Sequence, residues 1–244
     1  MSGFVSTGDP LIDALLAAGL IGPFVTYSDV SASTVFLYDY LLTLSMEIDL
    51  IWRSPWNVIK IIFIIQRYLP FIDTCFLTIY RQLGKLTIAQ CEILPYFNGF
   101  MYMFGLALSE ILLSIRVWAI WDRNMKLAYF QAVLFVIIWS PAFYAMYAYV
   151  SSLRYANPPA NLLDYRGCFI VDAKEYVLWS WVGVLLWNTV TLTFTLIHSF
   201  RSYRAGLVSG LAAVIYRDGA YFYVYLFIFS ALNIVFTTTL QARI

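Results

Sequence analysis

The chain has 244 residues, of which 62% are hydrophobic, 19% aromatic and 12% charged, against about 25% charged in an average soluble domain. Its mean hydropathy is +0.77, and a soluble fold of this size has too little interior to hide so much apolar surface. A soluble enzyme or binding domain is therefore excluded, and the formal net charge of +1 also excludes a nucleic-acid binder, which needs a basic face.

Residues 1–26 read as an N-terminal extracytosolic tail. Leu11–Phe24 is apolar but broken by Gly19, Gly22 and Pro23, and it is shorter than the roughly 20 apolar residues a span needs. No Lys or Arg precedes Arg53, and Asp9 and Asp13 stand near the start, so a cleaved signal peptide is not expected.

Residues 27–240 read as a transmembrane helical bundle, with 241–244 as a C-terminal tail. The first span covers about 27–50, with Ser28, Asp29 or Ser31 as its cap and Asp39 at its middle. Glu47 and Asp49, near its end, are expected to be solvated or paired with Arg53. Arg53-Ser54-Pro55 makes a turn between the interfacial anchors Trp52 and Trp56. The second span, 57–80, holds Arg67 and Asp73 and should kink at Pro70; Arg81, Gly84 and Lys85 close it. The third, 94–118, contains Glu110 and ends near Arg116. The fourth is 127–150, the longest polar loop is 151–174, and the fifth and sixth spans are 175–200 and 218–240. The apolar stretch 205–216 either lies at the interface or extends the sixth helix.

Orientation follows from Lys and Arg in the short loops. Arg53, Lys60, Arg116, Arg123, Lys126, Arg201, Arg204 and Arg217 fall on one side, and Arg81, Lys85, Arg154, Arg166, Lys174 and Arg243 on the other. The richer side should be cytosolic, which puts the N-terminus outside. Cys91 and Cys168 would then share the oxidising side, where a disulfide is allowed; two unrelated thiols are the alternative. Cys75 reads as a small packing residue.

Charges inside a membrane face the bundle interior or a cavity. Asp39 and Arg67 are natural ion-pair partners, with Asp73 joining if one acid is protonated. The cluster is either a lock between two helices or a ligand or switch site. Glu110 is a second candidate site, or else a hydrogen-bonded packing acid, beside Gly105 and Ser109 at helix-packing spacing. Arg116 is a cytosolic-end switch candidate, or an ordinary positive flank. Asn188, Thr191, Thr195 and His198 share one helical face, as do Ser230, Asn233 and Thr237. Each face is packing glue or part of a binding site.

There is no Gly-x-Ser-x-Gly elbow, no Gly-rich phosphate loop and no His-x-x-x-His pair, and the chain has a single histidine. No enzyme, metal or cofactor is expected.

Tyr38-Asp39-Tyr40-Leu41-Leu42-Thr43-Leu44, followed by Glu47, Trp52, Trp56 and Arg67-Tyr68-Leu69-Pro70, resembles the domain of unknown function 6533 (DUF6533) of fungal (basidiomycete) membrane proteins. Residues 38–82 would be its defining pair of helices. Further similarity covers Arg116–Asn124 and Tyr216-Arg217-Asp218-Gly219. The resemblance implies a multi-pass membrane protein and no particular activity. Longer members continue past the sixth span.

The expected fold is therefore an all-α polytopic transmembrane helical bundle of six spans, or a seven-helix, receptor-like plan cut short. The expected place is the plasma membrane or another secretory-pathway membrane. The leading function is a receptor-like or sensory protein with an intramembrane polar site. Its partners would be the lipid bilayer, a small-molecule ligand and a cytosolic signalling protein. A transporter or channel component using the same acids is the alternative, and a structural membrane scaffold the third.

Overall fold

A computed structural model of the chain describes residues 10–77, 80, 86–155, 168, 170–204 and 210–241. The closing residues Arg81, Gly84 and Lys85, the loop 156–167, the linker 205–209 and residues 242–244 lie outside the described residues. The same holds for the side chains of Arg204 and Arg217.

Six long helices occur among the described residues. α1 runs over Pro10–Glu47, 38 residues, and so begins inside the stretch expected to be a tail. Gly19, Gly22 and Pro23 do not interrupt it. In an apolar setting a continuous helix keeps every backbone polar group bonded within the segment, and that outweighs the weak propensity of those residues. A π-helical turn, Ile48–Trp52, follows, and Ser54 N–H donates to the Ile51 carbonyl at 3.1 Å to close the reversal. α2, Val58–Pro70, starts at an Asn57 cap whose Oδ1 accepts from Lys60 N–H at 2.7 Å. Pro70 has no N–H to donate, and beyond it the helix continues with the wider π pitch over Phe71–Leu77.

α3, Ile88–Ile120, is 33 residues long and opens with a capping box. Thr87 N–H donates to Gln90 Oε1 at 2.9 Å, and Gln90 N–H returns a bond to Thr87 Oγ1 at 3.4 Å. α4, Met125–Ser152, is capped by Asn124, whose Oδ1 accepts from Lys126 N–H at 2.9 Å. A short antiparallel pairing joins β1, Arg154–Tyr155, to β2, Ile170–Asp172. α5 is Val177–Arg204 and α6 is Gly210–Gln241, so part of the apolar stretch before the sixth span extends that helix.

Ile88–Ile120, Met125–Ser152, Val177–Arg201 and Tyr221–Thr239 are each long and apolar enough to cross a membrane. They are the third to sixth expected spans, and the chain is an all-α, integral membrane protein. In α1, Asp29, Asp39 and Glu47 stand among the apolar residues of its second half. α2 is the shortest helix, at 13 residues before its π continuation.

The chain divides into two compact units. The first holds residues up to Leu108 together with Val150–Lys174, and the second holds Ser109–Tyr149 together with the chain from Glu175 through α6. In the first, Phe71 packs edge-on against Phe36 and Tyr40, both at 4.9 Å between ring centres. Gly105 brings α3 close to α2, since a Cβ there would stand 3.0 Å from Leu69 Cδ2. Also in this unit, Cys91 and Cys168 form a disulfide, with Cα atoms 5.5 Å apart, which ties the start of α3 to the loop carrying β2.

In the second unit the core is Val117, Trp139, Ala142, Val184, Trp187 and Tyr223. Phe135 meets Trp187 edge-on at 5.1 Å. A Cβ on Gly183 would lie 3.0 Å from Ala142 Cβ. Ser180 Oγ donates to the Ala142 carbonyl at 3.0 Å. Small residues at such crossings matter because helix association in lipid relies on close packing rather than on hydrophobic transfer.

Candidate functional site

The first polar cluster lies in the α1–α2 hairpin. Asp39, Thr43 and Glu47 recur every four residues along α1 and therefore share one face. Arg67 of α2 reaches all three. Its Nε lies 3.2 Å from Glu47 Oε2 and its Nη1 3.4 Å from Asp39 Oδ2, and Nη2 donates to Thr43 Oγ1. The guanidinium also stands over the Tyr40 ring, 5.2 Å from its centre. The expected Asp39–Arg67 pair is present, but it is the outer arm of the cluster. The Asp39 side chain is 61% exposed, whereas that of Glu47 is 3% exposed.

Glu47 is thus the buried anchor, and the expectation that it would be solvated or paired with Arg53 is corrected. Its Oε1 accepts from Trp52 Nε1 at 3.1 Å and from Tyr68 Oη at 3.0 Å. Arg53 pairs with Asp49 instead, at 3.5 Å. A buried carboxylate is stable only when surrounding donors replace its water, and three side chains do so here. Asp73 lies in the π-helical segment after Pro70 and accepts from Thr74 Oγ1 at 3.0 Å; the acids that Arg67 grips are Asp39 and Glu47. Lys60 is also buried. Its Nζ donates to the Trp52 and Ser54 carbonyls at 3.1 and 2.8 Å and lies 4.5 Å from the Trp56 ring centre. It satisfies the carbonyls left open where the first helix ends.

The second polar set belongs to the other unit. Glu110 is 5% exposed, on the same α3 face as buried Val117, and its Oε2 is buried without a hydrogen-bond partner among the described residues. One turn on, the Leu113 carbonyl accepts from Tyr223 Oη of α6 at 3.0 Å. Arg116 is exposed.

On α5, Asn188, Thr191 and Thr195 are buried as their spacing suggests. Asn188 Nδ2 donates to Ser230 Oγ at 2.8 Å, and Ser230 passes a bond to the Leu226 carbonyl at 2.9 Å. Thr191 and Thr195 bond back to carbonyls of their own helix, so only Asn188 of the three joins α5 to α6. Asn188 Oδ1 and Gln131 Nε2 are buried without partners. On α6 the expected stripe breaks, because Ser230 is buried and Asn233 is exposed.

Glu47, Trp52, Tyr68 and Tyr223 were missed as members of these clusters. The four-residue rhythm from Asp39 to Glu47 was the available signal for Glu47. Nothing in the sequence ties Tyr223 to Leu113.

No curated protein and no solved structure matches the chain. Residues 27–72 match the family of unknown function (DUF6533), and the whole Glu47–Arg67 network, with Lys60 and both tryptophans of the turn, falls inside that similarity.

Proposed function

We propose that the protein is a receptor-like, sensory membrane protein whose small-molecule site is built around Glu110. The observation that carries this is a buried carboxylate oxygen with no donor among the described residues, on a helix whose second-last turn carries the exposed Arg116. An isolated acid in so apolar a setting is costly, and a ligand offering a positive charge or hydrogen-bond donors removes that cost. Glu110 and Arg116 are about 9 Å apart along α3, with the Tyr223–Leu113 bond between them. A ligand that alters the turn at Glu110 biases that bond, and with it the end of the helix that meets a cytosolic signalling protein. The Cys91–Cys168 disulfide supports a secretory-pathway or plasma membrane, with the start of α3 on the oxidising side.

The test is a small-molecule screen on the full chain in detergent, read as a rise in melting temperature, repeated on Glu110→Gln. A compound that stabilises the wild type and loses at least tenfold in apparent affinity on Glu110→Gln supports the proposal. If instead the protein in liposomes drives ion or proton uptake that Glu110→Gln abolishes while the fold survives, the acid lines a transport path and the sensory role is wrong.

A further inference from the structure

We infer that the C-terminal end of α5 is a binding site for an anionic phospholipid, with Arg201 taking the headgroup phosphate and Leu196, Ile197 and Phe200 flanking an acyl chain. The inference shares the orientation given above and is independent of any ligand at Glu110. α3 carries Cys91 near its start and runs for 33 residues, about 50 Å, against a hydrocarbon core of about 30 Å. Its far end, where Trp121 follows, is therefore on the cytosolic side when Cys91 is on the oxidising side.

Trp121 fixes the end of α5 at that level. Its Nε1 donates to the Phe194 carbonyl at 3.2 Å, and its ring lies 6.0 Å from that of Phe194 and 5.7 Å from that of His198. Arg201 rests on the same indole, 5.6 Å from its centre. An indole at the interface holding a guanidinium is a common way to keep a cation at headgroup depth. Among the described residues no carboxylate pairs with Arg201. The neighbouring α3–α4 turn adds exposed Arg123 and Lys126 against one acid, Asp122.

Beside the guanidinium lies an open groove of about 540 Å³, lined by Leu196, Ile197, Ser199, Phe200 and Arg201. Its wall is apolar except at the end that carries the charge. An apolar trough with a cation beside it has the polarity of an anionic phospholipid. The cytosolic leaflet is also where anionic headgroups concentrate and where basic pockets at helix ends hold them.

The test is native mass spectrometry of the detergent-solubilised full chain titrated with phosphatidylserine. Phosphatidylcholine and soluble glycerophosphoserine serve as competitors. Wild type and Arg201→Lys are expected to hold one phosphatidylserine in preference to phosphatidylcholine. Arg201→Gln should bind it about fivefold more weakly, the effect of one cation near an anionic surface. Leu196→Trp should block the groove while leaving the charge, which keeps the test decisive if Arg201→Gln fails to fold. Arg53→Gln, at the already paired Asp49, should change nothing. Equal binding by Arg201→Gln, or equal affinity for phosphatidylcholine, overturns the inference. Full competition by glycerophosphoserine overturns it too, since that marks a free-anion site and not a lipid groove.

Discussion

The α1–α2 hairpin buries Glu47 among three donors, whereas α3 buries Glu110 with one oxygen bare. The cations differ in the same way. Arg67 grips two acids, Arg53 pairs with Asp49, and Lys60 caps two carbonyls, while Arg201 in the other unit rests on an indole and pairs with no carboxylate among the described residues. A satisfied network rigidifies a fold, and a half-satisfied one is a liability unless something else completes it. The hairpin thus reads as a lock, and the unit holding Glu110 and Arg201 as the part left open for ligands. Asp39 and Glu47, which attract attention first among the acids of the spans, then read as structural.

The sharpest way to break this contrast is to remove the lock. Arg67→Ala leaves Glu47 buried without its counter-charge, and the loss of one partner of a buried pair costs about 3–5 kcal/mol. Thermal unfolding in detergent should show a large fall in stability or no folded protein at all. Asp39→Asn should cost less than a third of that, because Arg67 retains Glu47 and Thr43 and the Asp39 side chain is the exposed one. Replacing Glu47 and Arg67 together by Met should recover much of the loss. A larger effect from Asp39→Asn than from Arg67→Ala would make Asp39 the functional acid and end the reading of the hairpin as a lock.

Much of this was legible from spacing. The four-residue rhythm of α5 places Asn188, Thr191 and Thr195 inside, and opposite charges on successive helices identify Asp39 and Arg67. The choice between Asp39 and Glu47 was not legible, because depth in a helix is a poor guide to burial when the turn folds back. Trp52 and Tyr68 cover Glu47 only once the hairpin has closed. The start of α3 could have been found six residues earlier, since Thr87-x-x-Gln90 is a capping box in the sequence itself. Asn233 shares the Ser230 face in the sequence and is exposed in the fold. A helical period says which residues share a face, and it does not say how much of that face a neighbour covers.

Glu110 tests the other side of the contrast, with the opposite sign. Here there is no partner to lose, so Glu110→Leu should raise stability by about 1–3 kcal/mol, the penalty of a buried polar group left unmade. Reversible unfolding in mixed micelles measures it. A fall of similar size would mean that Glu110 is a packing acid like Glu47, and the open unit would lose its best candidate site.

The smallest expected effect lies in the one side-chain bond between α5 and α6 described above. Asn188 Nδ2 to Ser230 Oγ is buried and direct, yet hydrogen bonds between membrane helices average about 0.6 kcal/mol, because the separated helices also find partners. Asn188→Ala and Ser230→Ala should therefore each cost about 0.6–1.7 kcal/mol, and the double variant little more than either alone. Thr191→Val, by contrast, should be nearly neutral: its hydroxyl bonds back to carbonyls of its own helix, which the i−4 ladder already serves. If Thr191→Val proves as costly as Asn188→Ala, the threonine hydroxyl has a partner outside its helix. The polar face of α5 would then belong with the locked hairpin and not with the open unit.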